Sequence, residues 1–308
     1  KFLGQRRAVF TGGLIIMLGH ILLAVPAKMS FYLGLVCLVL GTGFLKPNVS
    51  TMVGQLYARK DPRRDGGFSI FYMGINVGAF VSPIICGWLA QSNTFKSILV
   101  SQGIDPHWSW HFGFGAAAVG MGLGLTGFAW ATRELAEVGA PPVVTDPVQR
   151  RREWRTLGLI VGALVLAPAL LYAIHATGTY ELSKSRIANI FGVLLLSVFL
   201  TTFVMLYLKA QRSERHGVAA MFSLAIGCIA FFALFEQAAG TMNAFAADKT
   251  DNRFLGTTFP SSWFQSVNPV FIILLSPIFA WFFTWIVRNR VAFNDIRKFA
   301  VALVIMAS

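Results

Sequence analysis

Apolar residues run along this chain in stretches long enough to cross a bilayer, separated by short polar segments. The runs fall at about 8–25, 29–57, 68–90, 111–132, 156–175, 187–208, 217–247 and 259–287, and a ninth begins near 296. A hydrocarbon core about 30 Å thick takes roughly 20 apolar residues as an α-helix. Several runs exceed that length, which implies tilting or bending. The pattern predicts an all-α membrane protein. One polar stretch of any length interrupts it, TRELAEVGAPPVVTDPVQRRREW, whose prolines predict a coil between the first four spans and the rest.

Two charges break the pattern. Lys46 is the only charged residue from Met29 to Tyr57, and Glu236 the only one from Gly217 to Ala247. A lysine near a bilayer centre costs about 2.5–3.5 kcal/mol on insertion scales. Such residues face a protein interior or a wet cavity and mark sites or pathways. Desolvation disfavours a carboxylate, so a carboxyl at that depth suits the gain and loss of a proton. The blander alternative for both is a static ion pair that holds helices together. Pro47 removes a helix hydrogen bond beside the lysine and predicts a kink there. Gly41 and Gly43 allow close backbone approach. Asn76, in FYMGINVGAF, and Asn268, in FQSVNPVF, place amides at span depth, where they can bind a ligand or bond between helices. Gln237 and Gln265 are weaker candidates of the same kind. Asp248 ends the seventh run, as a solvated end residue or half of a gate salt bridge.

Loop charge orients the spans. With the N-terminal loop cytoplasmic, alternate loops collect Lys1, Arg6 and Arg7; Arg59, Lys60, Arg63 and Arg64; Arg133 and Arg150 to Arg155; Lys209, Arg212 and Arg215; and Arg288 to Lys298. The opposite side holds only Lys28, Lys96, Lys184, Arg186, Lys249 and Arg253. That bias is the positive-inside pattern. It absorbs the net charge of +13 without a nucleic-acid partner. Only 13% of residues are charged, against about 25% in soluble domains. Cys37, Cys86 and Cys228 lie in apolar runs without metal-ligand spacing and pack as small hydrophobes. The histidines lack metal spacing too, and no GxSxG, HExxH or Walker A motif is present. No cofactor is implied. Ala116, Gly120 and Gly124 form a small-residue face for helix packing in the fourth run.

The motifs carry a resemblance. KFLGQRRAVFTGG resembles the basic loop between the second and third helices of major facilitator transporters. GTGFLKPNVSTMVGQLY, RRDGGFSIFYMGINVGAF, FALFEQAAGT and FQSVNPVF, in that order, resemble the proton-dependent oligopeptide transporter family. The resemblance implies a major facilitator fold of two six-helix bundles with two extra inserted helices. Residues 1–132 would supply helices three to six of the N-terminal bundle, 133–153 a cytoplasmic linker, 154–208 the inserted pair, and 209–308 helices seven, eight and the start of nine. The chain is expected to be the middle of a longer protein, without the first-helix ExxER motif or the helix-ten glutamate. By motif, Lys46, Asn76, Asn268 and Gln265 would meet substrate, Glu236 would carry the coupling proton, and Asp248 would stand at the outer gate. Phe232 replaces a frequent indole, and EQAAG departs from the usual EQGS-like run, so pocket shape differs.

The expected function is that of a symporter in the inner membrane, a multi-pass protein working as a monomer. It would import di- and tripeptides by alternating access, driven by a proton gradient. Rivals are an amino acid, nitrate or drug-like solute on the same scaffold, or a non-transporting membrane receptor. No nucleophile–base set suggests an enzyme.

Overall fold

In a computed structural model, residues 4–58, 61, 63–135, 137–140, 147–148, 151–152, 154–156, 158–159, 162, 177, 183–254, 256–288 and 300–305 are described. Among them, helix dominates. The elements are α1 (Gly4–Ala24), α2 (Lys28–Gln55), α3 (Arg64–Gln91), α4 (Asn93–Ser101), α5 (Ser109–Ala131), α6 (Lys184–Lys209), α7 (Arg215–Phe235), α8 (Thr241–Asp248) and α9 (Val267–Arg288). Short 3₁₀ turns occupy Pro106–Trp108, Glu236–Ala238 and Ser261–Ser266. Two-residue strands, β1 (Arg253–Phe254) and β2 (Thr257–Thr258), pair antiparallel across Gly256, whose φ of 80° suits glycine. Among the described residues, seven helical stretches are long and apolar enough to cross a membrane, from Gly4–Ala24 to Ser261–Phe279. The predicted run at 156–175 and the onset of the ninth near 296 lie almost wholly outside the described residues. Large apolar side chains such as Val39, Leu123, Trp130 and Leu208 point outward, as lipid-facing residues do.

One compact unit comprises Lys1–Pro142 with Leu234–Ser308, and the other Val143–Ala233. In the first, α1 packs along α2 and α5, and α3 packs on α5 and α9. Glycine sets the α1–α2 distance. A Cβ on Gly12 would lie 2.8 Å from the Gly41 carbonyl oxygen, and one on Gly41 would lie 2.6 Å from that of Gly12. Gly19 and Gly34 repeat the arrangement with separations of 3.0 and 2.9 Å. Such contact, backbone to backbone, is the small-residue packing that lipid-embedded helices use. Gly43 has nothing within 4 Å and takes no part.

The fourth span packs through a different face from the one its Ala116, Gly120 and Gly124 spacing predicts. Gly120 and Gly124 meet nothing within 4 Å. Contact runs instead through Gly113, where a Cβ would lie 3.1 Å from the Cys86 carbonyl oxygen, and through Gly122 beside Met17. Ser109, fully buried, donates to the Ala90 carbonyl at 2.9 Å and fixes the start of α5 against α3.

The turn after α5 is latched to the start of α1 and the end of α2. Gly139 at φ 72° donates its backbone N–H to Gln55 Oε1 at 3.0 Å, and its carbonyl accepts from the Arg6 N–H at 3.0 Å. A Cβ there would meet Arg6 N and Met52 Sδ at 3.1 Å, so sterics and φ both call for glycine.

In the second unit, Phe222 of α7 stacks with Phe199 and meets Phe203 edge-on, both from α6. Arg215 sits 5.4 Å over the Tyr207 ring at the same helix pair's end.

Candidate functional site

The seventh predicted run is not one helix. α7 ends at Phe235, Glu236–Ala238 turn as 3₁₀, and Gly240 leaves helical geometry at φ −100°, ψ −96° before α8 begins at Thr241. Glu236 therefore stands at a helix break. Discontinuous helices of this kind place backbone and polar side chains against a transport cavity.

Across from the break, the Ser261–Ser266 turn leads into α9 and is tied to α3 by its polar groups. Ser266, 5% exposed, donates to the Phe80 carbonyl at 2.8 Å. Trp263 Nε1 donates to the Ile84 carbonyl at 3.2 Å. Gln91 Oε1 accepts the Ser262 backbone N–H at 3.3 Å. The Ser262 hydroxyl crowds onto Gly87, where a side chain would collide with it. These ties fix Gln265 and Asn268 relative to α3.

Between them lies a cavity of about 450 Å³, within the usual range for small-molecule sites. Glu236, Gln265 and Asn268 line it together with Asn243, Thr250, Phe235, Phe264 and small residues such as Ala79, Ala238 and Ala239. Glu236 is the one charged residue in that lining, among the described residues. It is exposed rather than packed in apolar surroundings, at the point where the helix breaks.

The other candidates stand elsewhere. Lys46 is exposed on α2, which continues through Pro47, and it is not in the cavity lining. The polar side chains after it fold back on their own helix: Thr51 Oγ1 donates to the Pro47 carbonyl at 2.8 Å, and Asn48 Nδ2 donates to the Phe44 carbonyl at 2.7 Å. Asn76 is 5% exposed and donates from Nδ2 to the Tyr72 carbonyl one turn back at 2.9 Å. Asp248 is exposed at the end of α8 and is outside the lining. Gln237 accepts the Thr241 hydroxyl at 2.6 Å.

Asn243 was not singled out by sequence reasoning. The signal was present: an amide in an apolar run, seven residues after Glu236, the separation of two helical turns. Ser266 and Gln91 were missed because their partners are backbone groups far along the chain, which no local pattern reveals.

Comparison with known proteins gives these residues a context. The PTR2 model of the POT family matches residues 6–308. The peptide transporter YePEPT of Yersinia enterocolitica subsp. palearctica is 35% identical over 315 residues, covering 100% of this chain and 59% of that protein. A di-/tripeptide transporter of Lactococcus lactis subsp. cremoris is 33% identical over 286 residues, covering 91% of this chain and 54% of its own length. A crystal structure of the peptide transporter POT in complex with sulfate superposes with a TM-score of 0.77 at 36% identity, over 92% of this chain and 55% of that one. The chain thus spans little more than half the length of these relatives. The family match covers nearly every residue, and the major facilitator fold accompanies it. The chain is that of a multi-pass membrane protein and belongs to the POT family of transporters.

Proposed function

We propose that this chain serves a proton-coupled symporter that imports di- and tripeptides across the inner membrane by alternating access, as a monomer with its first loop cytoplasmic. One observation carries the reading: a lone carboxyl, Glu236, stands at a helix break in a cavity it shares with Gln265 and Asn268. A carboxyl in such a place can take up a proton when the site faces one side and release it when the site faces the other. The amides of Gln265 and Asn268 can donate to and accept from a peptide backbone. By motif, Lys46 contacts the substrate carboxylate, Asn76 the peptide backbone, and Asp248 belongs to the outer gate. Lys46 and Asn76 lie outside this cavity, so their roles require the two half-sites to meet during the cycle. The names of the relatives support peptides as the substrate class. The proton gradient supplies the energy, and no cofactor enters the scheme.

The test is uptake of a labelled dipeptide into proteoliposomes, with and without an inward proton gradient. Accumulation is expected only with the gradient, and uptake indifferent to it would remove proton coupling. Competition by a panel of dipeptides, amino acids, nitrate and drug-like compounds decides the solute. A label displaced by amino acids or nitrate and not by dipeptides would overturn the peptide assignment.

A further inference from the structure

Asn243 is the third residue of α8 and lines the same cavity as Glu236, Gln265 and Asn268. Its Oδ1 is shut away from solvent and has no hydrogen-bond partner among the described residues. An acceptor buried without a donor is a standing cost that a native protein rarely carries without a use. The terminal torsion of asparagine is broad and two-fold, so a half-turn exchanges the carbonyl and amine ends in nearly the same space. In the turned state the carbonyl faces the cavity and needs a donor there.

The chemistry of the lining says which donor. Among the described residues no lysine or arginine lines the cavity, which holds one carboxyl, three amides and a threonine hydroxyl among its polar groups. Such a set, with its one carboxyl, attracts a cationic or N–H-bearing end and sets no positive charge against a carboxylate. Lys46 of α2 stands outside it. We propose that Asn243 is a specificity-determining residue that accepts a hydrogen bond from the amine end of the transported solute, beside Glu236. This rests on the transport reading above.

Without a ligand, Oδ1 turns inward and stays unpaired; with one, it turns outward and pairs. The hydrogen bond forms only where the solute supplies a donor, so the residue favours amine-bearing solutes over analogues that lack it. Discrimination by a missing donor is stronger than discrimination by shape, because the acceptor is left stranded.

The test is counterflow exchange in proteoliposomes, which needs no proton gradient. The solutes are Ala-Ala and its des-amino analogue propionyl-alanine, and the proteins are wild type, Asn243→Leu, Asn243→Ala and Asn243→Gln, each checked for a monodisperse peak in detergent. Asn243→Leu is expected to raise KM for Ala-Ala about 10-fold or more while leaving that for the des-amino analogue unchanged. Asn243→Ala behaves likewise and serves if the leucine variant does not fold, and Asn243→Gln recovers part of the loss. Equal losses for both solutes, or none, overturn the proposal. So does a shift of the pH profile without loss of amine discrimination, which would make a protonated Glu236 the donor instead. A wild-type protein that exchanges no dipeptide refutes the peptide reading itself. Asn243 is then judged by the same criteria on whichever amine-bearing solute the wild type exchanges and its des-amino analogue, and exchange of none overturns it too.

Discussion

The α1–α2 pair and the Glu236–Asp248 segment are built from similar small residues and do opposite things with them. In the pair, Gly12 and Gly19 of α1 face Gly41 and Gly34 of α2, and the backbones close to contact there. In the segment, Gly240 has nothing within 4 Å, and Ala238 and Ala239 line a void. One region spends its small residues on closeness, the other on space. The difference lies in what stands opposite, since a small residue closes a gap only if its neighbour is also small and the helix is unbroken. A transporter on this scaffold needs both, a stiff bundle and a cavity that can change its access.

The largest effect that could break this contrast is at Glu236. Glu236→Gln keeps the shape and removes the proton-binding group, so gradient-driven accumulation of dipeptide is expected to be abolished while counterflow exchange persists. A Glu236→Gln protein that still concentrates peptide would remove Glu236 from coupling and leave the cavity as a binding feature alone. The seam comes next. Gly41→Val sets a side chain 2.6 Å from the Gly12 carbonyl oxygen and 2.7 Å from Ile16 Cγ1, where both neighbours are fixed by their helix. Overpacking there should cost about 3 kcal/mol or more, read as a lower melting temperature in detergent. Gly43→Ala, two residues away with open space around it, is the matched control and should hold or raise the melting temperature. Equal effects at 41 and 43 would show that the seam does not limit stability.

These paired glycines also show how far the sequence reaches. Lys46 and Glu236 announced themselves as lone charges in apolar runs, and the span pattern and motif order led to the fold. Gly41 was legible as a point of close approach beside them. Gly43, Gly120 and Gly124 looked equivalent and meet nothing, because spacing gives a face of a helix but not the neighbour that covers it. The break after Phe235 was hidden in an apolar run with no proline, and helical periodicity continues across it. Asn243 was visible as a residue and not as a cavity wall, since its role depends on a turn 20 residues further on.

A milder test concerns the attachment of the cavity wall to the bundle. Ser266 ties the turn before α9 to the Phe80 carbonyl of α3. Ser266→Ala removes one buried hydrogen bond and should cost about 1 kcal/mol of stability. Because Gln265 and Asn268 flank it, KM for dipeptide should rise as well, with little change in maximal rate. A loss of stability with KM untouched would mean that the wall keeps its place without this tie.

The smallest effect is expected where polar groups serve neither seam nor cavity. Asp61 accepts from the Arg63 side chain at 2.9 and 3.1 Å in the turn before α3. Those hydrogen bonds, with the one from the Arg63 backbone N–H, hold its carboxyl below the ordinary value. A lowered folded value means that any stabilisation is present above the unfolded value, about 3.9, and is lost as pH falls through the folded one. Stability between about pH 5 and 8 therefore carries no slope from Asp61. The Arg63 side chain is 81% exposed, so water screens the pair even though Asp61 itself is only 15% exposed. Asp61→Asn should leave the melting temperature and dipeptide KM at pH 7 unchanged. A clear drop in melting temperature would show that this turn, like the glycine seam, holds the N-terminal helices in place, and the contrast between rigid and open regions would extend to the loops.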